Sequence, residues 1–357
     1  MATLYVVSPE SFSGKSSLCI GLGRQFQREG FSVGYMKPVS TSAKRIAGHP
    51  VDEDADFIKR MFNLGEPLDI LVPVVIEPFY IESVLRGQGD GYADKLTAAF
   101  GRVSAGKDVM ILEGASSLSE GSLVGLPPHR VASLLGAKTL LVVKYTSDLF
   151  VDDVLAAAQM LQGQMIGCVV NAVPAGRRDF VETVIVPFLK EHGVRVFCIL
   201  PQERVLQSVS VRELSEALGG EILCAENKAD ELVENLMIGA MSVESALSFF
   251  RRKPNKAVIT GGDRPDIQLA ALETSTKALI LTGNLYPSPI ILNRAEELGV
   301  PMILVKQDTL TTMEISQQFF ERSRFQQRKK LYRFEQILAE HFDFPSLYQA
   351  LGLKVPK

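Results

Sequence analysis

The sequence predicts an α/β protein in which a parallel, doubly wound sheet is followed by a second, smaller α/β domain. Three observations predict it. Continuous apolar runs rich in β-branched residues, such as 109–112 and 138–143, alternate with helical patterns, as strands buried on both faces do. The first such run, Leu4 to Val7, breaks into a small-residue loop that ends in Gly14-Lys15-Ser16 at the head of a helical pattern. The alternation restarts near residue 225 in shorter repeats, and 357 residues exceed what a single core commonly serves.

Composition narrows the function classes. With 46% apolar and 22% charged residues the chain reads as an ordinary globular protein. Its 38 Lys and Arg against 41 Asp and Glu leave a net charge of -3, so no cationic excess exists to displace counterions from nucleic acid. A first strand beginning near Leu4 leaves no room for a signal peptide, and no apolar run approaches the roughly eighteen residues of a spanning helix. The expectation is a cytoplasmic protein with neither membrane nor nucleic-acid partner. Cys19, Cys168, Cys198 and Cys224 are far apart and read as small hydrophobes. His49, His129, His192 and His341 show no metal-ligand spacing.

The opening order is strand, phosphate loop, helix, which makes the sheet P-loop NTPase-like. Gly14 lets the backbone turn its N–H groups inward, Lys15 offers a cation to the β/γ-phosphates, and Ser16 offers a hydroxyl to Mg²⁺. The helix that follows, Ser16 to Gly30, carries Leu18, Leu22 and Phe26 at four-residue spacing and adds its positive end. Pro9 stands at the usual first glycine, so context carries the motif: an initial strand before it and αβ units after it.

A second strand, Phe31 to Met36, delivers Lys37 to the edge where open α/β sheets bind ligands, although a lysine there also reads as surface. The acidic stretch Asp52-Glu53-Asp54-Ala55-Asp56 reads either as carboxylates at a helix N-terminus or as a source of a Mg²⁺ ligand. The strand Val109 to Leu112 ends in Glu113, level with the loop across a parallel sheet, where a metal-side carboxylate is expected.

Strands at Lys138 to Lys144, Met165 to Asn171 and Val194 to Leu200 alternate with helices at Phe150 to Leu161 and Phe180 to His192. Asn171 closes its strand and could read a purine edge or begin a turn. A helix over Val205 to Leu218 completes a first domain of residues 1–224. In a second domain, 225–325, helical segments fill Lys228 to Arg251. Three αβ repeats then start at Lys256, Ala278 and Met302. Their turns, Thr260-Gly261-Gly262-Asp263-Arg264, Thr282-Gly283-Asn284 and Gln307-Asp308-Thr309, could form an anion nest or simply turn tightly. The stretch Glu321 to Leu351, most of it in a C-terminal tail of residues 326–357, is helical in pattern and carries the basic run Arg322, Arg324, Arg328, Lys329 and Lys330, which reads as a solvated face.

With these motifs in view, the first two hundred or so residues resemble dethiobiotin synthetase. They are more similar still to the amino-terminal region of long-form phosphate acetyltransferases. The matching elements are Ser8 with Ser13-Gly14-Lys15-Ser16, Gly34-Tyr35-Met36-Lys37-Pro38-Val39, Asp54-Ala55, Glu113-Gly114-Ala115 and Asn171. Residues 226 to about 325 look like a DRTGG domain, keeping Gly262-Asp263-Arg264 and Thr282-Gly283-Asn284.

The resemblance implies that Ser11, Ser13, Gly14, Lys15, Ser16, Ser17 and Asn171 hold ATP. It also implies that Ser16, Asp54 and Glu113 surround Mg²⁺, that Lys15 and Lys37 are the catalytic lysines, and that the chain is a homodimer. Ser8 stands in place of a glycine, Phe12 in place of a polar loop residue, and Ser116-Ser117 in place of a glycine-rich turn. The sequence stops where that family's acetyltransferase domain would begin, so a complete phosphate acetyltransferase is not expected. The expected function is an ATP- and Mg²⁺-binding regulatory or assembly protein. The alternative is an ATP-dependent ligase that activates a small carboxylate or carbamate.

Overall fold

The computed structural model describes residues 1–46, 49–89, 91–161, 163–321 and 327–354. Residues 1–202 form one compact unit together with the C-terminal segment 325–357, and residues 203–324 form a second.

The first unit is built on six strands: β1 (Ala2–Val7), β2 (Val33–Met36), β3 (Val109–Glu113), β4 (Lys138–Lys144), β5 (Met165–Val173) and β6 (Val196–Pro201). Their order is β6-β5-β4-β1-β3-β2, every pair parallel, with Leu4 facing Ile111 on one side and Lys138 on the other. All of β3 is buried, as the continuous apolar run predicts for a strand covered on both faces. The chain leaves β1 for β2 in one direction and later crosses back to β4 in the other. The strand order therefore reverses at β1, and its carboxyl end is the switch point where such sheets bind ligands.

Helix α1 (Lys15–Arg28) follows β1 and buries Leu18, Cys19, Ile20, Leu22 and Phe26. The C-terminal segment returns to this helix. Helices α2 (Glu53–Phe62), α3 (Arg328–His341) and α4 (Phe344–Leu351) complete what positions the site. Gly21 of α1 has no side chain where Leu338 and Phe334 of α3 press in: a Cβ there would lie 2.7 Å from Leu338. Arg24 Nε meets Glu335 at 2.6 Å, Arg28 pairs with the same carboxylate, and the Tyr348 ring sits 5.8 Å from that of Phe26. On β6, Phe197 stacks on Phe342 and its carbonyl accepts the Asp343 N–H.

The tail is thus two helices packed on the first unit. Its basic entrance is not one solvated face, because Lys329 is exposed and Lys330 is buried; Arg322 and Arg324 lie outside the described residues.

The second unit has a five-stranded sheet in which Asn235–Ile238, Lys256–Gly261, Thr276–Thr282 and Met302–Leu304 run parallel, and Glu221–Cys224 adds an antiparallel edge. Alternate residues feed two cores. Val258, Leu279 and Leu281 face one, while Ala257, Ile259, Ala278 and Ile280 face the other.

Residues 203–224, expected with the first domain, lie here because helix Val211–Leu218 covers one face of the sheet and 221–224 forms its edge. That helix starts only at Val211, since Ser210 and Glu213 close a capping box. Within the span expected to be helical, Asn235–Ile238 is instead a strand, paired in register with Lys256–Ile259. Helix Val243–Phe250 is the helical part of that span.

Cys19, Cys168 and Cys198 are buried, and burial pushes the Cys168 thiol up to about 12, as suits small hydrophobes. Among the described residues no helix is long and apolar enough to cross a membrane.

Candidate functional site

The loop Ser8 to Gly14 leaves β1 at the switch point and is tied down from three directions. The Ser8 hydroxyl donates to the Glu10 carbonyl at 2.9 Å and accepts the Glu10 N–H, so the residue in place of a glycine is spent on closing the turn. The Glu10 carboxylate accepts the Lys144 N–H, 3.2 Å away at the end of β4. Asn171, on β5, donates from Nδ2 to the Ser13 carbonyl at 2.7 Å.

Gly14 follows with φ 100°, a conformation that favours glycine. Any Cβ there would lie 2.4 Å from Asn171 Nδ2. Phe12 also has a positive φ, 54°, and leaves half its side chain exposed.

Lys15 is 8% exposed, and its Nζ donates to the Glu10 carbonyl at 3.0 Å and lies 3.5 Å from Ser13 Oγ. Burial pushes its ammonium below the usual lysine value, with Glu113 opposing. Among the described residues, the backbone N–H groups of Ser13, Gly14, Lys15 and Ser16 meet no protein acceptor. Such a row of orphan donors at a helix head is satisfied by an anion or by water.

Ser16 and Glu113 are brought together: the Ser16 hydroxyl donates to Glu113 Oε1 at 2.6 Å. The other oxygen of Glu113 accepts from the Tyr35 hydroxyl at 2.7 Å, and the carboxylate is 2% exposed. Burial, reinforced by the charge of Glu113, pushes the Tyr35 phenol well up, so it stays a donor. Tyr35 reads in sequence as a core strand residue, and only the carboxylate across the sheet reveals its role.

Lys37 is also buried, and its partner is Asp52, 2.8 Å away. Asp52 in turn accepts from Ser40 and Ser42 hydroxyls and caps α2 by taking the Ala55 N–H at 3.0 Å. Burial works against the Lys37 charge, but Glu113, Asp52 and Asp54 outweigh it and raise its pKa. Burial likewise opposes the Asp52 charge, and Lys37 with the donors around it holds the carboxyl below its usual range. Asp54 sits half-buried in the first turn of α2, near enough to act on Lys37. Glu120, which accepts the Ser116 N–H at 2.5 Å and pairs with Thr41, acts on Lys15. Ser11 is exposed on the loop, and Ser17 lies on the buried side of α1.

Chemically, the site offers backbone donors and one lysine for phosphate oxygens, with the Ser16 hydroxyl and the Glu113 carboxylate adjacent as hard oxygen donors. Among the described residues no three His, Cys, Asp or Glu gather as a metal centre. A divalent cation at Ser16 and Glu113 would have to complete its shell with water or ligand oxygens, which is the habit of Mg²⁺.

Comparison with known proteins agrees with this architecture. A family model described as an AAA domain matches residues 2–210, and one described as a DRTGG domain matches residues 213–319. Phosphate acetyltransferase of Pseudomonas aeruginosa is 25% identical over 383 residues, covering 98% of this chain and 52% of the relative. ATP-dependent dethiobiotin synthetase BioD of Caldicellulosiruptor saccharolyticus is 23% identical over 121 residues, 33% of this chain and 50% of the relative. The CBS and DRTGG domains of the regulatory region of Clostridium perfringens pyrophosphatase, solved with the activator diadenosine tetraphosphate, align at 25% identity and a TM-score of 0.27, covering 30% of this chain and 45% of that one. The chain spans about half the length of the phosphate acetyltransferases it matches.

Proposed function

The chain belongs to the AAA domain family, and on that premise we propose that its first unit binds ATP with Mg²⁺ and serves as a regulatory or assembly module, with the DRTGG unit receiving or passing on the signal. The observation that supports this most is the row of amides from Ser13 to Ser16, which meet no protein acceptor among the described residues, beside the buried Lys15. Phosphate oxygens satisfy those donors, and Lys15 is already held over the loop. Ser16 and Glu113 would hold Mg²⁺, which supplies the charge needed to bring a polyphosphate among carboxylates.

The electrostatics favour this reading over the ligase alternative. A ligase of that kind needs a free cation for the small carboxylate. Here the Lys37 ammonium is taken by Asp52, and four acids (Glu113, Asp52, Asp54 and Glu120) act on two lysines (Lys15 and Lys37). The cytoplasmic location and the homodimer rest on the resemblance and on composition. Light scattering tests the homodimer.

Isothermal titration with ATP, with and without Mg²⁺, tests the central claim. Wild type is expected to bind ATP when Mg²⁺ is present, and Lys15→Ala to bind at least about tenfold more weakly, one charged contact being worth at least 1.4 kcal/mol. No affinity in wild type, or unchanged affinity in Lys15→Ala, overturns the proposal. An ADP-release screen with small carboxylates and diamines separates the two readings, because a sensor shows little stimulated turnover.

A further inference from the structure

Asn171 lies near the carboxyl end of β5, at a position from which an amide could read a nucleobase, yet each of its polar atoms already has a protein partner. Nδ2 donates to the Ser13 carbonyl at 2.7 Å, and Oδ1 accepts the N–H of Ala172 at 2.8 Å. Ala172 is held at φ 59°, a left-handed conformation costly for a residue with a Cβ. Backbone strain is therefore tolerated beside Asn171 while its amide is fixed against the loop.

The consequence follows from peptide geometry. In a trans peptide the carbonyl and the next N–H point in opposite directions. Drawing the Ser13 carbonyl toward Asn171 sends the Gly14 N–H away from it, and that N–H is one of the four donors without a protein acceptor. Gly14 must be glycine partly because Asn171 occupies the space a Cβ would take, 2.4 Å away. Glu10 makes the companion tie, through its carboxylate, to the Lys144 N–H at the end of β4.

We infer that Asn171 is a positioning residue of the phosphate loop: it sets the direction of the Gly14 amide, so that its contribution to ligand binding is made through the phosphates and not through the base. This inference rests on the nucleotide-binding reading above and specifies how the site achieves it.

The test uses three probes on the full chain, each with Mg²⁺: ATP, GTP and inorganic tripolyphosphate, which has no base. Asn171→Ala is expected to weaken all three by a similar factor, about five- to tenfold for one lost hydrogen bond at the loop, and to leave the ATP-to-GTP ratio unchanged. Asn171→Asp, which keeps the volume but turns an acceptor toward the Ser13 carbonyl, is expected to weaken them at least as much, and it stands in if the alanine variant does not fold. Loss of ATP affinity with tripolyphosphate affinity intact, or a changed ATP-to-GTP ratio, overturns the inference. Failure of wild type to bind any of the three overturns the nucleotide reading itself, so the two failures are distinguishable.

Discussion

Lys37 and Asp52 form a buried ion pair in which the carboxylate also caps a helix. Lys37 at 2.8 Å and the two serine hydroxyls converge on Oδ2 of Asp52, while Oδ1 takes the Ala55 N–H. Breaking such a pair from one side strands a charge in a medium that solvates it poorly.

Lys37→Met and Asp52→Asn are therefore each expected to destabilise the first unit by about 3 kcal/mol or more, and the double variant by less than the sum. Urea unfolding of the four proteins measures this. Strictly additive losses would show that the two groups do not depend on each other.

The pair also fixes a pH response. Because Asp52 is held below the usual carboxyl range, its contribution is present at neutral pH and is lost as pH falls through its folded value. The raised Lys37 value acts at the other end, with stability lost only as pH rises beyond the usual lysine range. Asp52→Asn is expected to flatten the acid limb of a stability-versus-pH curve, and an unchanged limb would count against the assignment.

Tyr35→Phe removes one of two donors from the buried Glu113 carboxylate without changing volume. The expected cost is about 1.5–3 kcal/mol, the range for a hydrogen bond to a charged group. Chemical denaturation checks the stability, and titration with Mg²⁺ and ATP checks whether the released carboxylate alters the metal dependence. A variant as stable as wild type would mean that Glu113 finds another donor.

Gly21 is where the C-terminal segment presses on α1. Gly21→Leu is expected to destabilise the unit by about 1–3 kcal/mol by overpacking, and Leu338→Ala to recover part of the loss when combined with it. A double-mutant cycle by thermal unfolding is the measurement. No coupling between the two positions would place the contact elsewhere.

Lys256, at the start of a strand in the second unit, is fully buried and donates to the Thr274 hydroxyl and the Ser275 carbonyl. Burial pushes its pKa down to about 8. The unfolded chain therefore binds more protons than the folded one above that value, and stability should rise with pH between about 8 and the usual lysine value near 10.4. Lys256→Met is expected to remove that rise and to stabilise the unit at neutral pH.

The strand, loop and helix around Gly14-Lys15-Ser16 were legible because their signal is local: three adjacent residues between an apolar run and a helical pattern. The placement of Glu113 beside the loop was legible because a parallel sheet places strand ends level, and Ser16 does touch it. Asp52 was not singled out from Asp54 because the choice depends on where α2 begins, a phase that no neighbouring residue declares. Tyr35 and Asn171 reach partners 78 and 158 residues away in the chain, so those partners cannot be read from spacing. The strand at 235–238 is four residues long, too short for a period to speak against the helical pattern around it, and its pairing with 256–259 decides the outcome.

The strip of α1 around Gly21 is covered by side chains that the ribosome makes only after the whole second unit. A shortened gene ending near residue 202 would encode the loop, Lys15 and Glu113, yet leave that strip wet and Arg24 and Arg28 without Glu335. To study the first unit alone, one would join residue 202 to the returning helices through a new linker instead of simply truncating.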